Sequence, residues 1–195
     1  MNIDYQEPLS EKFIREHQEE IDCIDNWHKI SIYQKLSENF IREFQDKVNW
    51  GEISFYQKLS ENFIREFQDK VNWINISYNQ ILSENFIKEF QNKVIWRWIS
   101  SSQKLSEEFI REFQNKIDWN YISYNQILSM KFIKEFKNKI NFYYLLEKLE
   151  YKCKRLTNIN VNTYCITNNN YCSDYLEYSE FVNLALKLIK LKAFQ

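Results

Sequence analysis

Over most of the chain the apolar positions return in one order: Leu36, then Phe40, Ile41, Phe44 and Val48, then Trp50 and Ile53, with polar residues between them. The order repeats every 23 residues. Its opening Leu-Ser pair falls at Leu36, Leu59, Leu82, Leu105 and Leu128, and a looser copy opens at Leu9. Phe40, Ile41, Phe44 and Val48 follow helical spacing and make one apolar stripe. A fixed period of this length is the mark of stacked repeats in which each unit buries its apolar face on its neighbours.

Two helices per unit can be read from their start signals. Ser37 is an N-cap with Glu38 at the first helical position, where the helix dipole favours an anion. Leu36 before the cap and Ile41 within the helix form a hydrophobic staple. The device returns as Leu59/Ile64, Leu82/Ile87, Leu105/Ile110 and Leu128/Ile133. Asn49 caps the second helix, with Val48 and Ile53 as its staple, and Asn72 and Asp118 are the corresponding caps. Ile95 holds the cap position in one unit, where its apolar side chain should cost roughly 1 kcal/mol. The pattern predicts a first helix of about 11 residues and a second of about 9, with almost no loop between them. Trp50, Ile53 and the Tyr56/Gln57 region supply the buried face of the second. Helices this short are marginal alone and must be held by stacking.

The shared charges Glu38/Arg42 and Glu43/Lys47, and their counterparts in later units, are spaced i,i+4 in the favourable order. They read as a solvated helix face, with a ligand-binding stripe as the competing reading. At the start, Phe13 and Trp27 are 14 residues apart where Phe40 and Trp50 are 10 apart, so the first unit carries about one extra helical turn. The sixth unit departs from the pattern at Met130, Lys131, Lys137 and Phe142. The expected organisation is therefore an all-α solenoid of about six two-helix repeats over residues 1–142. A C-terminal cap over 143–195 follows, with an Asn-rich loop and a final amphipathic helix from Tyr175 to about Lys192.

Composition narrows the function. Apolar residues make up 44% of the chain, which argues against disorder. A net charge of -1 gives no electrostatic reason to expect nucleic acid or an anionic membrane as partner. No apolar run approaches a membrane span, and the opening Met-Asn-Ile-Asp lacks the basic-then-apolar order of a signal peptide. An intracellular protein with reduced cysteines is expected. Cys165 and Cys172 have six residues between them and no nearby histidine, which does not fit zinc. Neither His17 nor His28 has a nucleophile or metal partner in the pattern, and His17 stands where Phe44 stands one unit later. Gly51 is the only glycine, so no phosphate-cradling loop is present in the sequence. The chain carries no sign of catalysis, metal or cofactor.

What varies between copies is the pair after each Trp and the residue after each Ile-Ser. These positions escape the shared packing rule and so mark a surface. Glu52, Phe55, Asn75, Tyr78, Arg97, Trp98, Tyr121 and Tyr124 are the candidate partner-binding residues, with the aromatic and arginine content of interface anchors. Free drift of surface residues is the alternative. The recurrent Trp50, Trp73, Trp96 and Trp119 could stack bases, but they lie inside the stapled pattern with no basic stripe beside them.

The phrase Leu-Ser-Glu-x-Phe-Ile-Arg-Glu-Phe-Gln-Asp-Lys-Val-x-Trp-x-x-Ile-Ser-x-Tyr-Gln-Lys resembles tandem short repeats in proteins of giant amoeba-infecting DNA viruses. The resemblance covers residues 9 to about 142. With 22 Asn and 24 Ile against one Gly, one Pro and two Ala, the chain favours residues with A/T-rich codons, which agrees with it. It implies an interaction module in the cytoplasm of an infected cell or in the virion, and supplies no functional residues. The expected function is a non-enzymatic protein-binding scaffold; single-stranded RNA binding and self-assembly are the alternatives.

Overall fold

The computed structural model of the protein describes residues 3–145. The chain divides into two compact units, Met1–Gln103 and Lys104–Gln195. In the first, α1 (Glu11–Glu16), α2 (Gln18–Ile21) and α3 (Ile24–Tyr33) make the opening repeat. The pairs α4 (Glu38–Glu43) and α5 (Trp50–Tyr56), then α6 (Glu61–Glu66) and α7 (Trp73–Asn79), then α8 (Glu84–Glu89) and α9 (Trp96–Ser102), follow. In the second unit α10 (Glu107–Glu112), α11 (Trp119–Asn125) and α12 (Met130–Glu135) continue the pattern, and residues 142–145 are helical. The fold is an all-α solenoid of two-helix repeats. The expected loop and final helix, with Cys153, Cys165 and Cys172, lie outside the described residues.

The caps and staples are formed. Ser37 Oγ accepts from the Phe40 amide at 3.2 Å and Asn49 Oδ1 from the Glu52 amide at 3.2 Å. Leu36, Ile41, Val48 and Ile53 are all buried. Ile95 makes no side-chain cap bond. The extra turn of the first repeat is α2.

Helix length is corrected by the structure: the first helix of a unit has six residues and the second seven. The break has a local cause. In a continuing helix the Asn49 amide would bond to the Gln45 carbonyl. Instead that amide donates to Ser31 Oγ of the preceding repeat at 3.0 Å, while Gln45 O accepts from the Trp50 indole Nε1 at 2.9 Å. Between them the Lys47 and Val48 amides both bond to Phe44 O, at 2.9 and 3.0 Å, so residues 44–48 form a turn, not more helix. The same exchange recurs at Asn72, where Ser54 Oγ and the Trp73 indole play these parts.

The opposite corner is closed by glutamine. Of the Tyr56/Gln57 region expected to be buried, Gln57 is buried but Tyr56 is 52% exposed. The Gln57 amide nitrogen donates to Ser31 O (3.1 Å) and Gln34 O (2.8 Å), and its Oε1 accepts from the Leu36 amide (3.0 Å). It thereby satisfies a carbonyl from the last turn of α3, the carbonyl of the capping residue and the amide that opens the next repeat. Gln80 and Gln103 repeat the clamp one and two units later. No described non-glycine residue has positive φ, and neither has Gly51. The side chain of the following repeat does what a left-handed glycine does at many helix ends.

The charged stripe is also spent between repeats. Glu38 Oε1 accepts from the Ser60 amide at 2.6 Å, which caps the next helix from outside. Arg42 keeps its contact with Glu38 (3.8 Å), but its shorter bond is Nε to Glu66 of the next repeat at 2.8 Å, with its guanidinium 5.0 Å over the Phe63 ring. The Arg15 and Arg111 guanidiniums are held above their ordinary pKa, first by hydrogen bonds to Glu43 and Glu135. The expected Glu43–Lys47 pair gives way to bonds across repeats: Lys47 reaches Asp22 at 2.9 Å, and Glu43 takes Arg15 at 2.8 Å. Lys47 lies beyond the end of α4, where i,i+4 geometry no longer holds.

Candidate interaction surface

With many of the recurring polar residues engaged between repeats, the exposed aromatic side chains lie on the second helices. In the first unit α3, α5, α7 and α9 pack in succession. Phe55 and Tyr56 on α5, Ile74 and Tyr78 on α7 are exposed, and Phe55 meets Tyr56 edge-on with centroids 4.7 Å apart. Tyr78 stands edge-on to Trp98 of α9 at 5.0 Å, and the Arg97 guanidinium lies 5.5 Å from the same indole. This joins three of the candidate residues in one aromatic cluster, in the geometry favoured by the ring quadrupoles.

The other two candidates in this unit are occupied. Asn75 Nδ2 donates to Gly51 O of the preceding repeat at 3.0 Å, so it belongs to the joint between repeats. Glu52 is half-buried with its carboxylate 3.9 Å from His28 Nδ1. In the second unit Tyr121 is half-buried on α11, while Tyr124 is exposed and stands edge-on to Tyr144 at 6.2 Å.

The repeated tryptophans are built into the stack. Trp50 packs against Phe67 (5.0 Å) and Phe63 (6.2 Å) of the next repeat, and Lys70 Nζ lies 5.9 Å from its ring. These contacts place the half-buried Trp50 in the joint between repeats. His17 stacks on Phe13 at 4.1 Å as Phe44 packs on Phe40, which makes it a variant of the aromatic pair.

Two exposed residues escaped the sequence reading. Ile81 is 95% exposed and Ile127 85% exposed, each between a clamping Gln and a stapling Leu. The signal was available: Lys35, Lys58 and Lys104 hold the same place in the other copies, which marks it as solvent-facing. Tyr56 was missed because it adjoins the buried Gln57.

Among the described residues there is no group of three or more side chains fit to hold a metal, and no helix long and apolar enough to cross a membrane. No family model matches the sequence, and neither the curated proteins nor the solved structures contain a match.

Proposed function

We propose that the chain is a non-enzymatic scaffold that binds a protein partner through the exposed side of its second helices. The observation that carries this reading is the aromatic cluster of Tyr78, Trp98 and Arg97, with Phe55, Tyr56 and Ile74 on the neighbouring helices of the same unit. Exposed aromatic and aliphatic side chains gathered on neighbouring helices are costly in water unless something covers them. Tyr, Trp and Arg are also the residues that dominate binding energy at interfaces. The resemblance of the repeats supports an intracellular setting, in the cytoplasm of an infected cell or in the virion.

The test is affinity capture from infected or expressing cells, with the wild-type chain beside Tyr78→Ser/Trp98→Ser. The expected result is a protein recovered by the wild type and lost by the double variant while helicity is unchanged. Equal recovery by both would remove this surface from consideration.

A further inference from the structure

The second helices of the first unit present rings and hydrogen-bond donors but hardly any charge. α5, α7 and α9 have seven residues each, and among them only Glu52 and Arg97 are charged, in a chain that is 27% charged. Glu52 already faces His28, and the Arg97 guanidinium lies over the Trp98 indole. Phe55 and Tyr78 are 23 residues apart and hold the same place on neighbouring helices. At the equivalent place on α9 stands Ser101, and the Trp98 ring comes up to Tyr78 instead. Among the described residues none accepts a hydrogen bond from the Tyr56 or Tyr78 hydroxyl or from the Trp98 indole Nε1. The face is neutral, aromatic and rich in unengaged donors.

We infer that this face docks a proline-rich segment of a partner protein in the polyproline II conformation. The inference rests on the binding surface proposed above and names its occupant. Charge complementarity points to a neutral ligand: an acidic or basic segment would lose its hydration here and find almost no opposite charge. An amphipathic helix brings carbonyls already bonded to its own amides, so the three donors would be covered without acceptors. A polyproline II segment has the matching chemistry, with no internal hydrogen bonds, free carbonyls and no N–H at proline. Its pitch fits too. It makes one turn in about 9 Å, and packed helices stand about 8–10 Å apart. Laid across the second helices, it meets successive ones with a proline at the same phase. One proline ring packs on Phe55 and another on Tyr78 and Trp98, while the hydroxyl and indole donors take the carbonyls between them. Such a segment is stiff before it binds, so it loses little freedom on docking.

The experiment is an NMR titration of the isotope-labelled full chain with acetylated, amidated decaproline. A glycine–serine decapeptide and an alanine–leucine helical peptide serve as controls. The expected result is a saturable shift of the Trp98 indole N–H signal, assigned from Trp98→Phe, with a Kd below about 1 mM. Neither control peptide should match it. Tyr56→Phe/Tyr78→Phe keeps both rings and removes both hydroxyl donors, and should bind decaproline at least about fivefold more weakly. Absence of a saturable shift up to about 5 mM overturns the inference. So does tighter binding of the helical peptide, or a Tyr56→Phe/Tyr78→Phe variant that binds as the wild type does. Those outcomes leave the affinity-capture test of the surface standing. Decaproline binding that Tyr78→Ser/Trp98→Ser leaves unchanged overturns the inference and removes this face from the proposed function as well.

Discussion

The side-chain amide of Gln80 reaches back one repeat and donates to the backbone carbonyl of Gln57 at 2.8 Å. The same Nε2 donates to Ser54 O at 3.0 Å, and Gln80 Oε1 accepts from the Leu59 backbone amide at 3.1 Å. One buried side chain therefore completes three backbone groups, two in the preceding repeat and one at the opening of its own.

Replacing Gln80 by Leu keeps the volume close to constant and strands all three. An unsatisfied buried group costs about 1–3 kcal/mol, so the expected loss is about 3–6 kcal/mol after partial relaxation. Urea denaturation measures it. A loss below about 1 kcal/mol would mean that water or a shifted backbone replaces the clamp.

Ser54 tests the other joint. Its hydroxyl donates to Trp50 O (2.6 Å) and accepts from the Asn72 amide (2.9 Å), and the residue is fully buried. Ser54→Ala should cost about 1–3 kcal/mol through the stranded Asn72 amide. Ser102→Ala, at an exposed position of α9, should stay within about 0.5 kcal/mol. Thermal melts of the two variants side by side separate them.

A missing cap can be supplied. Ile95 stands where Asn72 and Asp118 accept amide hydrogens at the start of their helices, and it makes no such bond. Ile95→Asp should raise stability by about 1 kcal/mol. A shift in the urea midpoint without a change in slope is the signature. A decrease would show that the half-buried isoleucine packs for more than the cap returns.

Gly51 is the reverse case. Its backbone is not left-handed, and an added Cβ would meet only Asn49 Oδ1, at 3.1 Å. In the next repeat Ile74 occupies the same place while Asn72 still accepts from the Ile74 and Asn75 amides, so the cap can adjust. Gly51→Ala should stabilise the protein by about 0.5–1 kcal/mol, through helix propensity and a less flexible unfolded chain. A melting temperature at or below that of the wild type would refute this.

Much of this architecture was legible because its signals are local. Ser37 to Phe40, Leu36 to Ile41 and Asn49 to Glu52 are separated by three to five residues, and each is a known device of helix starts. Helix length was not legible, because the Asn49 amide leaves its helix for Ser31, 18 residues earlier. Nor was the use of the charges, since Arg42 satisfies an i,i+4 rule and still spends its shorter bond on Glu66, 24 residues away. A clue to the clamps was in view: Ser and Gln recur at Ser54/Gln57, Ser77/Gln80 and Ser100/Gln103, beside apolar residues, in successive copies. Polar residues that return unchanged at such places are there to satisfy a backbone. For the candidate surface, variation between copies found Phe55, Tyr78 and Trp98, but could not tell Asn75, bonded to Gly51, from a free side chain.

The glutamine clamp also gives the array a direction in time. The Ser31–Leu36 turn is completed by Gln57, between 21 and 26 residues further along the chain. As the polypeptide leaves the ribosome, each corner waits for the next repeat to arrive and then closes, and the newest corner is always the unfinished one. Contacts of such short range favour rapid folding. Synthesis and folding would then advance together, one 23-residue step behind the growing end.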